Sequence, residues 1–263
     1  MKKYQVVSRG DYESDKIAET YNEVLTGHGW KQTNDPEIVI AIGGDGTMID
    51  AFKKYYYDEH TSFVGIHTGT LGFYADWGKE ESNKLLQKIV TESEQVRTSE
   101  YPLIEFDFHL KSGEVITEIA LNDVCIKSKT SSTFVMDVFI GGSLFESFRG
   151  DGLIMSTPSG STAYNYSVGG AVIHPFIEVM QVAELASINN TEFRTLNRSF
   201  VLHSSQELEL YPKNKDILIS IDGKELELDG IYCVKGRVST KKIKFLRFRP
   251  FPFWNRVREK FII

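Results

Sequence analysis

Along the first hundred residues the apolar positions alternate between two spacings. Tyr4 to Ser8 reads as a short strand, and from Ser14 to Leu25 the residues Ile17, Tyr21, Val24 and Leu25 recur on one helical face. Ile38 to Ile42 is a continuous apolar run, as expected of a strand covered on both faces in a parallel sheet. A helix is predicted from Met48 to about Tyr57, a strand at Phe63 to Ile66, a small-residue loop from His67 to Gly72, and a helix from Ser82 to Val90. This order predicts a Rossmann-like α/β layer of the doubly wound type.

After Pro102 the period changes to two. Ile104, Phe106, Phe108 and Leu110 alternate with Glu105, Asp107 and His109, the pattern of a half-buried strand. Val115 to Ile126 and Phe134 to Ile140 read the same way, and Gly141-Gly142 marks a hairpin. Ile177 to Leu185 looks helical. Short strands are predicted at Phe200 to His203, Leu208 to Tyr211, Ile217 to Ile221, Lys224 to Leu228 and Ile231 to Val234, with Asp222-Gly223 as a second hairpin signal. The pattern predicts an α/β domain over residues 1–100 and a β-rich, β-sandwich-like domain over 101–244. Residues 245–263 are expected to pack back on the first domain. No linker rich in Gly, Ser or Pro separates the halves, and no repeat is present.

The 263 residues carry ordinary hydrophobic and charged fractions, 41% and 25%, so a globular core is expected. The N-terminus is too poor in apolar residues for a signal peptide, and no apolar run approaches the roughly 20 residues of a membrane span. Cys125 and Cys233 lie far apart in strand-like runs and outside any metal-spacing motif, which points to buried free thiols in a reducing compartment. Net charge is −6, yet from Lys235 onward there are ten Lys and Arg against the single acid Glu259. Those charges are interleaved with Phe245, Leu246, Phe248, Phe251, Phe253 and Trp254. The interleaving favours a strand and closing segment packed on the body or on a second subunit over a nucleic-acid surface.

Candidate chemistry lies in four segments. The first, Gly43-Gly44-Asp45-Gly46-Thr47, directly follows an apolar strand. Glycines let the backbone approach a ligand closely, and strand ends are where open α/β sheets bind ligands. Thr47 and Asp50 fit the S/T-x-x-D start of a helix, whose free N–H groups suit phosphate. Asp45 among them reads as a base for phosphoryl transfer, as a group that orients a metal, or as a helix cap. The Lys of a Walker loop and the pattern of a dehydrogenase fingerprint are both missing. The second segment is Asn122-Asp123 at a strand end, which suits ribose hydroxyls or an amide and equally suits an ordinary turn. The third runs from Arg149-Gly150-Asp151-Gly152, through a strand at Leu153 to Met155, into the hydroxyl-rich stretch Ser156 to Ser167 before an expected helix. Its Tyr164 could stack on a flat ring. The fourth, Ala186 to Asn190, could read a base or carboxamide edge, or be a plain loop.

Together these segments resemble the NAD kinase family. Gly43 to Thr47 is similar to its G-G-D-G-T motif, and Asp151 to Tyr164 to its D-G-(x)n-T-P-x-G-S-T-A-Y segment. Asn122-Asp123 stands where members usually have Asn-Glu. His67-Thr68-Gly69 with Leu71-Gly72-Phe73 fits the loop after the next strand, and Phe248 to Trp254 resembles the C-terminus of Gram-positive bacterial forms. Thr70 stands where close relatives often carry His. The first motif alone is shared with diacylglycerol-kinase-like lipid kinases and, loosely, phosphofructokinases; the first and third together are specific.

The resemblance implies ATP-dependent phosphorylation of the adenosine ribose 2′-hydroxyl of NAD to give NADP and ADP. It implies a cytoplasmic homo-oligomer, dimer or tetramer, with the site near a subunit interface and no nucleic-acid or membrane partner. Divalent metal, usually Mg²⁺, accompanies ATP without a direct protein ligand, and some members also use inorganic polyphosphate. Asp45 would be the catalytic base. Gly43, Gly44, Gly46 and Thr47 would form the phosphate loop, and Gly44, Asp45, Gly46 and Phe73 would also meet NAD. Asn122 and Asp123 would hold a ribose, and Ser159, Thr162, Ala163, Tyr164, Asn165, Tyr166 and Ser167 would line the dinucleotide site. Arg149 and Asp151 would belong to that site or its interface, while Ala186, Ile188 and Asn190 would meet a base or carboxamide. The competing readings are a lipid kinase, which needs an apolar groove, and a non-catalytic NAD(P)-binding sensor, which does not call for a base.

Overall fold

The computed structural model describes residues 2–56, 60–92 and 96–263, and the chain divides into two units, Met1–Glu100 with Ile243–Ile263, and Tyr101–Lys242. The first unit runs β1 (Lys3–Ser8), α1 (Tyr12–Gly27), β2 (Lys31–Gln32), β3 (Ile38–Gly43), α2 (Asp45–Tyr55), β4 (Ser62–His67), β5 (Trp77–Gly78) and α3 (Ser82–Glu92). β3 pairs in parallel with β1 on one side and β4 on the other, and β2 lies beyond β1. Side chains alternate across β3. Ile38, Ile40 and Ile42 face a core formed with Tyr21 and Leu25 of α1 and Leu85 and Ile89 of α3. Val39 and Ala41 are also buried, and α2 buries Met48, Ala51 and Phe52. Covering both faces is what makes the strand read as an unbroken apolar run.

The predicted helix after β3 begins earlier than the sequence suggested. Gly44 is its N-cap and Asp45 its first residue, so the Gly-Asp-Gly-Thr stretch is the first helical turn and not a loop before it. Thr47 is the third helical residue, and its hydroxyl accepts from the Gly44 N–H at 3.3 Å. The helix closes at Tyr55, and the expected end at Tyr57 lies outside the described residues.

The closing segment of the chain completes this unit. The end of β17 (Ile231–Arg247) pairs in parallel with the start of β4, and β5 pairs with the end of β4. α5 (Phe253–Phe261) follows. Asp76, 3% exposed, meets Arg247 Nη1 at 2.7 Å and Arg256 Nη2 at 2.8 Å. Arg249 donates to the Asp76 carbonyl and to Glu81, and lies 4.2 Å over the Trp77 ring. Arg247 and Arg256 both lie over the Phe251 ring, at 4.3 and 4.7 Å. Arg247, Arg249 and Arg256 of the basic tail thus engage internal carboxylates, a carbonyl and aromatic faces.

The second unit is a β-sandwich. One sheet contains β9 (Phe134–Ile140), β10 (Ser143–Gly150), β14 (Leu208–Pro212) and the start of β17, with β6 (Arg97–Leu110) and β7 (Val115–Ala120) beyond it. The other has the order β13 (Phe200–His203), β12 (Val179–Leu185), β11 (Gly152–Ser156), β8 (Asp123–Ser128), β15 (Ile217–Ile221), β16 (Lys224–Leu226). Phe106, Phe108, Met136 and Val138 of the first sheet and Val124, Ile126, Leu153 and Val182 of the second share one core. Both hairpins form, at Gly141-Gly142 and at Asp222-Gly223.

Four expectations are corrected. Val115 to Ile126 is two strands broken at Leu121-Asn122. Ile177 to Leu185 is no helix: Val179–Leu185 is β12, paired with β11 and β13. Its Met180 and Val182 enter the main core while Ala183 and Leu185 pack with Cys125 and Ile154 on the other face, so a doubly covered strand imitated a buried helix. The hydroxyl-rich stretch leads only to a 3₁₀ turn at Ser159–Thr162 and the single turn α4 (Tyr164–Ser167). The predicted strand Ile231 to Val234 continues to Arg247.

Asp76→Ala would leave two buried guanidinium groups without their shared carboxylate. The expected cost is about 3–5 kcal/mol, read as a lower midpoint in urea unfolding. An unchanged midpoint would show that this three-group cluster contributes nothing to stability.

Candidate active site

Three parallel strands of the first unit end at one place. The Arg9 N–H after β1 donates to the Ile42 carbonyl at 2.9 Å, and the Thr68 N–H after β4 donates to the Gly43 carbonyl at 2.9 Å. The chain then turns into α2, whose first intrahelical bond runs from the Met48 N–H to the Gly44 carbonyl at 3.1 Å. The amides of Asp45, Gly46 and Thr47 therefore precede the helical ladder, where an anion is favoured.

Asp45 itself is half-buried. The Phe73 N–H donates to its Oδ1 at 3.0 Å and its Oδ2 at 2.9 Å, and the Tyr74 N–H donates to Oδ1 at 3.0 Å. The residue before them must be glycine for steric reasons, because a Cβ on Gly72 would lie 2.2 Å from Asp45 Oδ1. The Phe73 ring packs against Phe253 and Phe261 of α5, so what Phe73 offers Asp45 is its backbone. This role of residues 73 and 74 was not legible in the motif, which gives no sign of the loop that meets it.

In the second unit the sequence-predicted residues fall into two groups. Asn122 and Asp123, both largely buried, sit at the break between β7 and β8. The Asp222 carboxylate organises that break: it accepts the N–H groups of Leu121 (3.1 Å), Asn122 (2.6 Å) and Asp123 (3.1 Å). From the other side Thr157 and Ser159 hydroxyls donate to the Leu121 carbonyl, at 2.7 and 3.2 Å. A Cβ on Gly160 would lie 2.0 Å from the Asn122 carbonyl, so the two segments can touch only with glycine there. Thr162 donates to the Ser159 carbonyl and Ser167 to the Tyr164 carbonyl. Tyr164 is 43% and Tyr166 42% exposed, whereas the Asn165 side chain is buried. In the sequence Asp222 reads only as a turn residue; nothing local announces a partner a hundred positions away.

The second group gathers around residue 186, where Ala186 adopts a left-handed φ of 45°. The Asp151 N–H donates to the Leu185 carbonyl and the Ile188 N–H to the Arg149 carbonyl, both at 2.8 Å. Arg149 lies 3.9 Å over the Phe193 ring. The Asn190 side-chain oxygen accepts the N–H groups of Glu192 and Phe193, closing a turn. Asp151, Ala186, Ile188 and Asn190 are exposed.

A Rossmann-like layer with a carboxylate in a glycine-rich helix start, in a chain that also folds a β-sandwich carrying the exposed Tyr164 and Tyr166, defines a nucleotide-binding phosphotransferase. Residues 6–94 match the ATP-NAD kinase N-terminal domain and residues 121–248 the ATP-NAD kinase C-terminal domain. The chain is 45% identical to NAD kinase 1 of Bacillus cereus, across 99% of this chain and 98% of that protein. It is 46% identical to the NAD kinase of Staphylococcus saprophyticus, across 99% and 97%. Its fold is similar to that of yeast NADH kinase complexed with NADH, with a TM-score of 0.85 at 17% identity, over 100% of this chain and 87% of the yeast one. It is also similar to that of an Archaeoglobus fulgidus NAD kinase in complex with ATP, with a TM-score of 0.72 at 22% identity, over 94% of each. The chain belongs to the NAD kinase family, and the lipid-kinase reading falls away.

The loop that carries Ile188 and Asn190 rests on two acids. Glu146 accepts the Leu196 N–H at 2.8 Å, and Glu184 accepts the Asn197 N–H at 3.0 Å and the Thr195 hydroxyl at 3.0 Å. Burial, with the Glu184 charge nearby, pushes the Glu146 carboxyl up from 4.5 to about 7. The folded chain therefore keeps a proton there that the unfolded chain has released between those values, and stability falls as pH rises through that window. Glu146→Gln should remove this fall. Thermal midpoints at about pH 5 and about pH 8 should show the variant gaining on wild type at the higher pH; identical pH profiles would contradict the assignment.

Proposed function

We propose that the chain transfers the γ-phosphoryl group of ATP to the 2′-hydroxyl of the adenosine ribose of NAD, giving NADP and ADP, with Asp45 taking the hydroxyl proton. The oxygen–phosphorus bond to the ribose forms as the bond to the ADP oxygen breaks. The carrying observation is the Asp45 carboxylate in the first turn of α2, gripped by two backbone amides. A gripped carboxylate needs little reorganisation when a hydroxyl is presented to it. The early amides of α2 suit phosphate oxygens. Asn122 and Asp123, stiffened by Asp222, hold a ribose. Thr162, Ala163, Tyr164 and Ser167 line the dinucleotide, with the exposed Tyr164 ring available for stacking. Arg149, Asp151, Ala186 and Asn190 complete the set.

Among the described residues no three His, Cys, Asp or Glu side chains form a metal cage. Mg²⁺ carried by the nucleotide phosphates needs no such cage; it is assigned to ATP without a direct protein ligand, which leaves Asp45 as the base. Bound with ATP, Mg²⁺ supplies neutralisation of phosphate charge. The buried free thiols of Cys125 and Cys233 support a reducing, cytoplasmic setting, and family membership supports a homo-oligomer. Among the described residues no helix is long and apolar enough to cross a membrane.

Purified protein with Mg-ATP and NAD, coupled to an NADP-specific dehydrogenase, should give signal. Asp45→Asn should lower kcat by about 10²- to 10⁴-fold with fold and oligomeric state kept. A folded Asp45→Asn protein with the wild-type rate would remove the base assignment, and NAD binding without turnover by the wild type would make the chain a sensor.

A further inference from the structure

We propose that Arg256, in the C-terminal helix, is a positioning residue for Asp45 that acts through a single peptide group. The inference rests on Asp45 as the reacting carboxylate. Arg256 Nη1 donates to the Gly72 carbonyl at 2.9 Å and to the Ala75 carbonyl at 2.7 Å, while Nη2 donates to Asp76 at 2.8 Å. The Gly72 carbonyl and the Phe73 N–H belong to one planar trans peptide, so they point in opposite directions. Arg256 holds one end of that peptide and the other end donates to both oxygens of Asp45. The second grip, on Ala75, closes the loop from its far side, and the Tyr74 N–H between the two held carbonyls completes the contact with Asp45.

The guanidinium geometry is what the task requires. A planar fork can meet two carbonyls and a carboxylate together, whereas an ammonium is a point charge on a flexible stem. The positive charge on the carbonyl side also polarises the peptide and strengthens the bond its N–H gives to Asp45. Arg256 is buried and shares the Asp76 carboxylate with Arg247, and its bonds to the Gly72 and Ala75 carbonyls carry its effect to Asp45 through loop geometry. Arg247 Nη1 holds the other Asp76 oxygen at 2.7 Å, so it shares the anchor of the tail and serves as the comparison for Arg256, whose bonds to the Gly72 and Ala75 carbonyls reach the loop peptide directly.

The test compares Arg256→Ala, Arg256→Lys and Arg247→Ala in the NADP-forming assay, with thermal midpoints measured on the same preparations. Arg256→Ala should lose about 100-fold in kcat, the scale of a misplaced catalytic group, with KM for NAD within about twofold of wild type. Added guanidinium ion at sub-denaturing concentration should restore part of the rate. Arg247→Ala should lose thermal stability and keep kcat per folded molecule. If Arg256→Ala does not fold, Arg256→Lys carries the test: reduced kcat at a near-native midpoint supports the proposal, and wild-type kcat overturns it. Equal kcat losses in the Arg256 and Arg247 variants, tracking the unfolded fraction, would also overturn it. Wild-type turnover by folded Asp45→Asn would sink the base reading instead, whatever the arginine variants do.

Discussion

Asp76 brings a negative charge into the interior of the first unit and meets two guanidinium groups there, one from the end of β17 and one from α5. Removing three charged groups from water is costly, and the arrangement holds because their mutual attraction is supplemented by further bonds. The Gly72 and Ala75 carbonyls accept from Arg256 Nη1, and Phe251 covers the faces of both guanidinium groups. The closing segment is thereby tied to the loop after β4. That loop in turn supplies the amides that hold Asp45. Arg256, far along the chain from the glycine-rich motif, links this charged cluster to the backbone on which the motif's acid leans.

Asp45 and Asp222 follow one design. Each is a carboxylate fixed by backbone N–H groups from a distant segment, residues 73–74 in one case and 121–123 in the other. Charge-assisted bonds of this kind are short and directional. In both places glycine removes the Cβ that would block the approach, Gly72 at Asp45 and Gly160 at Asn122. The consequence is preorganisation: side chains proposed to meet the dinucleotide stand on backbone that is already locked before a ligand arrives.

Much of the architecture was legible in local pattern. The apolar run at β3, the helical spacing in α1 and the period of two in β6 each reflect burial on a known number of faces, and each element formed where its pattern placed it. The failures have a common cause. Val179–Leu185 is covered on both faces, and burial on all sides erases the periodicity that separates strand from helix. The break at Leu121-Asn122 is imposed by Asp222, Thr157 and Ser159, none of them near in sequence. The start of α2 moved to Asp45 because Gly44 can serve as the cap without a side chain, so the expected Thr47 cap was not needed.

Residue order alone settled which elements exist over most of the chain and, through the Gly-Gly-Asp-Gly-Thr and Asp151-to-Tyr164 motifs, which family the chain belongs to. Those are properties of short stretches whose spacing and chemistry survive without the fold. The tertiary structure decided what holds each acid: Phe73 and Tyr74 for Asp45, the 121–123 backbone around Asp222, and Arg247 and Arg256 for Asp76. Such partners lie tens to more than a hundred residues apart, and a hydrogen bond or ion pair depends on separation and angle in space, which linear spacing does not encode.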